Sequence, residues 1–327
     1  MKIGLDTAPA ALRGTYFQHL ASVLARYAPE HEYIIGAEVN DGVYHGFRSS
    51  LPLSVHLRRV PSVMTVPNLN FLRYPHLYTF AERLFVLTLY RRALRRAGRV
   101  ITVSAPAREE LSERLNIDPS KIEVMVPLAV PAPRGNPSQA ELEHVRRKYA
   151  LPEHFILMIG TVEPRHNHQA VFAALADAAS PAGVVVCGRR TAWSDYLLGY
   201  ARARRIAARV DFIYELTPSD LPALFRLARV FAYLPDADAE ASVVPVVEAL
   251  RAGLPMVLSD TQVNREAAGE AAAYVRPEAR GEVLAALENA LEDVSWRRTM
   301  QERERRRAEL FSEYAVAERL MQIYTSL

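Results

Sequence analysis

The chain has 327 residues, half of them apolar and 24% charged, which is the composition of a globular protein long enough for two domains with separate cores. No stretch approaches the roughly 20 apolar residues of a membrane span. The single cysteine, Cys187, excludes an internal disulfide and fits a reducing compartment. A first strand that begins at Lys2 leaves no signal peptide ahead of it, so a cytoplasmic protein is expected.

The net charge of +3 is unevenly spread: residues 1–136 hold 17 Lys and Arg against 11 Asp and Glu, and the remainder 23 against 26. Arg91, Arg92, Arg95, Arg96 and Arg99 form a basic helix end. Two readings of it stay open, a solvated helix face and attraction to anionic lipid headgroups or a phosphate-bearing substrate. Nucleic acid is not expected among the partners.

Short apolar strands alternate with helical patterns throughout, which predicts an α/β fold with mainly parallel sheets. In the first half, strands are expected at Lys2–Asp6, Tyr33–Ile35, Ser54–Leu57, Val63–Val66, Val100–Ser104 and Ile122–Val126. Helices are expected at Tyr16–Tyr27, after a loop at 11–15, and at Leu77–Ala97 and Ala107–Leu115. Four prolines and Gly135 within Pro127–Pro137 read as a linker. The second half predicts strands Phe155–Gly160, Val184–Gly188, Val210–Ile213, Val230–Tyr233 and Met256–Ser259. Its helices are expected at Gln139–Tyr149, Gln169–Ala178, Trp193–Arg204, Ser219–Ala228, Arg280–Glu292, Trp296–Leu310 and Glu313–Tyr324, with a short one ending at Gly253. Two doubly wound domains joined by a proline-rich hinge follow from this order.

The stretch from Glu240 to Gly253 is the most informative. Glu240 and Glu248 flank a mostly apolar seven-residue run containing Pro245. One glutamate near a helix N-terminus can simply favour the helix dipole; two at this spacing are better placed to face one polar ligand. In parallel sheets ligands bind beyond the carboxyl ends of strands, where helix N-termini offer N–H groups. Two further strand ends qualify. One is Gly160-Thr161-Val162-Glu163-Pro164-Arg165-His166-Asn167, in which Arg165 is placed to pair with a phosphate and His166 can add charge when protonated. The other is Gly188-Arg189-Arg190-Thr191, in which Gly188 allows close backbone approach. Together they would offer cations to a diphosphate and carboxylates to sugar hydroxyls. His45, His56 and His76 have no metal-ligand spacing and read as surface or structural residues, and Trp193 reads as core packing beside the Gly188 loop.

These residues resemble the retaining glycosyltransferases of the GT-B fold, family 4. Glu240 and Glu248 match the family's pair of glutamates separated by seven residues, and Glu248-Ala249-Leu250-Arg251-Ala252-Gly253-Leu254-Pro255 matches its continuation. Pro164-Arg165-His166-Asn167 is similar to its Pro-Arg-Lys-Asn element. The resemblance covers most of the chain and is specific over residues 155–270. It implies an N-terminal acceptor-side Rossmann-like domain, 1–131 with a returning helix at 312–327. A C-terminal nucleotide-sugar-binding domain, 132–311, would face it across a central cleft. It also implies transfer from a nucleoside-diphosphate sugar, with UDP or GDP expected, to a glycan or lipid-linked acceptor, without a bound metal or other cofactor. Carried over singly, Arg165 would stabilise the leaving group, Glu240 contact the donor sugar and Glu248 hold the ribose. Gly160, Thr161, His166, Gly188, Arg189, Ser242, Val243 and Val244 would line the donor site. Gly14 would let the N-terminal loop approach the diphosphate. Peripheral contact with the inner face of a membrane, through the basic first half, goes with a lipid-linked acceptor.

Several positions depart from the family pattern. His166 stands where the family has lysine, Ala241-Ser242-Val243 where it has a Gly-Phe-Gly loop, and Pro67-Asn68 where relatives commonly have His-Asp. A catalytically silent homologue that binds a sugar nucleotide or glycan, or serves as a partner subunit, is therefore the alternative to an active transferase. A phosphorylase or epimerase of the same fold ranks last, because no lysine or acid pair suits either chemistry.

Overall fold

Two six-stranded parallel sheets organise the chain, one in each of two units: Met1–Pro131 with Leu310–Leu327, and Ala132–Glu309. The computed structural model describes residues 1–6, 11–35, 39, 41–46, 51–52, 55, 57–67, 69–73, 79–125, 137–236 and 243–327, with 11–18, 70–71, 82–83 and 85–86 described by backbone alone. Among the described residues no helix is long and apolar enough to cross a membrane.

The first sheet contains β1 (Lys2–Asp6), β2 (Glu32–Ile35), β3 (Val43–Gly46), β4 (Ser62–Val66), β5 (Arg99–Thr102) and β6 (Ile122–Val124), in the order β2-β1-β3-β4-β5-β6. Helices α1 (Ala11–Tyr27), α2 (Asn70–Arg73), α3 (Phe80–Arg96) and α4 (Ala105–Leu115) connect them. Strands such as β4 are buried along their whole length because helices cover both faces of a parallel sheet. Ile3, Leu5, Val63 and Ile101 pack against Leu20 and Leu24 of α1 and Val316, Leu320 and Ile323 of the C-terminal helix, Glu313–Thr325. Each such side chain contributes about 1.5–3 kcal/mol by burial. The C-terminal helix is also fastened by a polar contact, since Tyr324 Oη lies 2.6 Å from His45 Nδ1 and His45 Nε2 lies 2.7 Å from Thr65 Oγ1. Burial pushes His45 down to about 3, so the ring is neutral and both nitrogens are partnered.

The basic helix end has a structural use. Arg91 Nε donates to Leu115 O at 3.0 Å and Arg95 Nε to Asn116 O at 3.4 Å, so two of its arginines serve carbonyls at the end of α4. Two expectations are corrected in this unit. The strand set at Ser54–Leu57 is not one: Val55 and Leu57 are helical, while Ser54 and His56 lie outside the described residues. The third strand is instead Val43–Gly46, a four-residue run too short to show an alternating pattern. The loop at 11–15 is helical from Ala11, so Gly14 sits inside α1. Of the linker expected at Pro127–Pro137, all but Pro137 lies outside the described residues, as does His76.

The second sheet contains β7 (Phe155–Ile159), β8 (Gly183–Cys187), β9 (Val210–Ile213), β10 (Val230–Tyr233), β11 (Met256–Ser259) and β12 (Ala273–Val275), in the order β12-β11-β10-β7-β8-β9. Its helices are α5 (Gln139–Lys148), α6 (His168–Asp177), α7 (Ala192–Ala203), α8 (Leu221–Leu227), α9 (Val244–Ala252), α10 (Gln262–Ala268), α11 (Arg280–Glu292) and α12 (Val294–Ala308). β12 and α10 were not expected from the sequence; both are short and flanked by alanines and Gly269, which carry little periodicity. The core joins Ile156, Val184, Val186 and Val230 of the sheet to Val171 and Phe172 of α6 and Val283 and Leu287 of α11. α9 ends at Gly253, in the left-handed region at φ 61°, with Leu254 N–H donating to Ala249 O at 3.0 Å and Gly253 N–H to Leu250 O at 3.1 Å. Those two bonds close the helix and turn the chain at Pro255 into β11.

Candidate functional site

The strand order reverses between β7 and β10: β8 and β9 lie to one side of β7, and β11 and β12 lie beyond β10 on the other. Such a switch in strand order, beyond the carboxyl ends of the strands, is the usual ligand position in an open α/β sheet. The loop after β7 is Gly160–Asn167, and the segment after β10 begins at Leu234. The two are fastened together. Asn167 Nδ2 donates to Leu234 O at 3.0 Å and to Asp236 Oδ1 at 2.5 Å, and Asp236 N–H donates to Arg165 O at 2.9 Å. Asn167 takes the left-handed conformation at φ 51°, which its residue type tolerates better than most, and stands at the start of α6.

Pro164–His166 forms a single 3-10 turn ahead of α6, so Arg165 is held at the strand end. Its Nε donates to Glu163 Oε2 at 2.7 Å, and Arg189, from the loop after β8, lies 3.7 Å from Glu163 Oε1. Two guanidinium groups from different loops thus share one carboxylate. Glu163 was not among the residues picked from the sequence, where its place before Pro164 gives no sign of this role. His166 packs beside Gly160, 6.0 Å from the His168 ring and 6.1 Å from the Tyr233 ring. Burial, reinforced by the neighbouring Arg165 charge, pushes His166 down to about 4; burial, reinforced by His166, pushes His168 down to about 3. The expected conditional charge on His166 is therefore corrected: its ring is neutral at ordinary pH, because the site desolvates it and a fixed cation stands next to it.

The glycines differ in what they allow. Gly160 has φ 147°, which L side chains rarely adopt, and a Cβ there would meet His166 Cε1 at 3.2 Å. At Gly188 a Cβ would lie 1.7 Å from the Gly160 carbonyl oxygen. The close approach expected at Gly188 is thus to the neighbouring strand end. Gly160 N–H donates to Cys187 O at 3.0 Å, Val162 N–H to Arg189 O at 3.1 Å, and Thr191 Oγ1 to Val162 O, which lock the two loops side by side. Beyond them a cavity of about 440 Å³ opens at the ends of β8 and β9, lined by Gly188, Arg189, Arg190, Tyr214, Glu215 and Leu216 among others. Thr161 is half-buried. Trp193 stacks on Tyr196 with ring centroids 4.0 Å apart and packs against the core.

Glu240 and Ser242 lie outside the described residues. Val243 is buried and precedes α9 at φ −69°, so this β-branched residue needs no left-handed backbone. Val244 is the first residue of α9 and half-buried. Glu248 is corrected from a possible first-turn residue to the fifth residue of the helix, 8% exposed. The dipole of the first turn therefore does not account for it.

Comparison with known proteins places this geometry in a family. Residues 141–307, just over half of the chain, match the model of glycosyl transferases group 1, and residues 43–127 match a glycosyl transferase 4-like domain. The chain is 27% identical to the O-antigen chain mannosyltransferase B of Escherichia coli over 281 residues, 84% of this chain and 72% of that protein. It is 24% identical to the O-antigen chain mannosyltransferase RfbU of Salmonella typhimurium over 230 residues, 69% of this chain and 60% of that one. Among solved structures, Anabaena Alr3699/HepE in complex with UDP and glucose superposes with a TM-score of 0.75 at 14% identity, covering 100% of both chains. WaaG, a glycosyltransferase involved in lipopolysaccharide biosynthesis, superposes with a TM-score of 0.68 at 14% identity, covering 99% of this chain and 100% of that one. With two parallel six-stranded sheets, each flanked by helices, and a matched C-terminal unit, the chain belongs to the group 1 glycosyl transferases, family 4 of the GT-B fold.

Proposed function

We propose that this protein is a retaining hexosyltransferase that uses a nucleoside-diphosphate sugar as donor, UDP or GDP being the nucleotide, and a glycan or lipid-linked acceptor. The observation that carries the reading is the pair Arg165 and Arg189, brought together on Glu163 from the loops after β7 and β8, beside a 440 Å³ cavity. In the reaction the bond between the anomeric carbon and the diphosphate oxygen breaks, and its electrons leave with the diphosphate. The acceptor hydroxyl oxygen takes its place on the same face of the sugar, and its proton passes to the departing diphosphate oxygen. Arg165 offsets the charge that develops on the departing group, and fixed cations do this best in a site that excludes water. In this reading the arginines and helix ends carry the neutralisation, without a metal ion. The cavity at the ends of β8 and β9 has a size suited to a nucleoside. Glu240 contacts the sugar hydroxyls and Glu248 the ribose. The two mannosyltransferase relatives support a hexosyl donor and a role in surface polysaccharide assembly. Contact with anionic headgroups through Arg92 and Arg96, both exposed on α3, would bring a lipid-linked acceptor within reach.

Thermal denaturation with UDP, GDP and ADP tests the donor claim. Saturating UDP or GDP is expected to raise the melting temperature, and Arg165→Ala to remove most of the rise. A flat response to every nucleotide would sink the proposal. Nucleotide binding without turnover of any sugar nucleotide would favour the silent homologue instead.

A further inference from the structure

Glu163 poses a question that the donor reading does not answer. A carboxylate at the place where a diphosphate is received would, by charge alone, weaken binding. Here it lies at the centre of the cluster. Its Oε2 accepts from Arg165 Nε at 2.7 Å, its Oε1 is 3.7 Å from Arg189 Nη2, and its main-chain carbonyl accepts from His166 N–H at 3.2 Å. The three side chains come from two loops, after β7 and after β8, and Glu163 is the carboxylate that both arginines reach.

We infer that Glu163 is a positioning residue for the donor diphosphate. By holding the Nε edge of Arg165, the carboxylate fixes the plane in which that guanidinium meets a ligand, since an arginine presents its donors as a rigid fork. It also limits the excursion of Arg189, whose side chain is 76% exposed and would otherwise sample many rotamers. Restricting a long side chain before the ligand arrives lowers the entropy lost on binding, which is the general basis of preorganisation. Glu163 does not touch the reacting atoms in this account. It acts through Arg165 first and Arg189 second. The inference rests on the donor reading above.

The rival account makes Glu163 a placeholder that a diphosphate displaces, and the two predict opposite signs. Binding of UDP and GDP by titration calorimetry is compared for wild type, Glu163→Ala, Glu163→Gln, Arg165→Ala and the double variant with alanine at both positions. Positioning predicts that Glu163→Ala weakens affinity about tenfold. Glu163→Gln, whose amide oxygen still accepts from Arg165 Nε, should return to within about threefold of wild type. In the double variant, loss of Glu163 should add less than twofold to the loss from Arg165→Ala. Equal or tighter binding by Glu163→Ala would overturn the inference while leaving the donor reading intact, and so would a full tenfold effect in the Arg165→Ala background. A melting temperature of free Glu163→Ala within a few degrees of wild type separates positioning from simple loss of fold; a collapse of the fold would also overturn it. A wild-type protein that binds neither nucleotide overturns both readings together.

Discussion

Asn167 Nδ2 donates to the main-chain oxygen of Leu234 at 3.0 Å, and this bond holds the loop after β7 against the segment after β10. These are the two strand ends between which the strand order reverses, so one amide ties the two sides of that switch point together. Asn167→Gly keeps the left-handed backbone at φ 51° and removes only the amide. Two bonds are lost, to Leu234 O and Asp236 Oδ1, so the melting temperature is expected to fall by about 4–8 °C, corresponding to about 2 kcal/mol for two net hydrogen bonds. Nucleotide affinity should fall severalfold with it, because the loop bearing Arg165 is less constrained. Unchanged affinity in a calorimetric titration would separate the clamp from the donor site.

Gly188 has a more severe requirement. The clash of a new Cβ is with a main-chain oxygen at 1.7 Å, and no side-chain rotation relieves it. Gly188→Ala is expected to destabilise the second unit by about 3 kcal/mol or to prevent its folding. Gly199, around which an added Cβ meets nothing within 4 Å, is the internal control, and Gly199→Ala on α7 should be neutral or stabilising. Urea denaturation of both variants measures the contrast. Equal midpoints would show that the two strand ends can separate at little cost.

The neutrality of His166 predicts a pH profile. With its pKa pushed down to about 4, the ring does not change charge between pH 6 and 8. The affinity of wild type for UDP over that interval should run parallel to that of His166→Gln, the titration of the nucleotide itself cancelling in the comparison. Below about pH 5 the wild type should gain relative to the variant, as a protonated ring adds a cation beside the diphosphate. Divergence of the two curves between pH 6 and 7 would place the charge change back near the ordinary histidine value.

Glu304 gives a signature in stability. It is 0% exposed on α12, neither carboxylate oxygen has a hydrogen-bond partner among the described residues, and burial raises its pKa to about 8. Below about pH 4.5 folded and unfolded chains both hold the proton; from there to about 8 only the folded chain does. The contribution of the neutral acid is therefore complete below the ordinary carboxylate range and is lost as pH rises through about 8. Glu304→Gln should match wild type near pH 5 and exceed it progressively above, by on the order of 1 kcal/mol per pH unit within the window. Denaturation curves at pH 5, 7 and 8.5 decide it, and a constant difference between the two proteins would contradict a buried neutral acid.

Much of this was legible in the residues. Runs such as Phe155–Ile159 and Gly183–Cys187 are too apolar to be anything but strands buried on both faces, and their alternation with helices specifies parallel sheets. The spacing of Glu240 and Glu248 and the Pro164–Asn167 element pointed to the strand ends and to the family, because those features are local and the chain carries them in order. What the sequence could not display were relations between distant residues. Glu163 became the partner of both Arg165 and Arg189 only when β7 and β8 paired in register and set their loops side by side. His45 lost its charge, and gained Tyr324 as a partner 279 positions away, through burial alone. Gly188 was legible as a close approach, but the folded sheet decided that the approaching group is the Gly160 carbonyl. Residue pattern determines which segments must be buried and where the backbone can turn; desolvation, charge neighbours and steric contact are set by what the tertiary structure brings to each side chain.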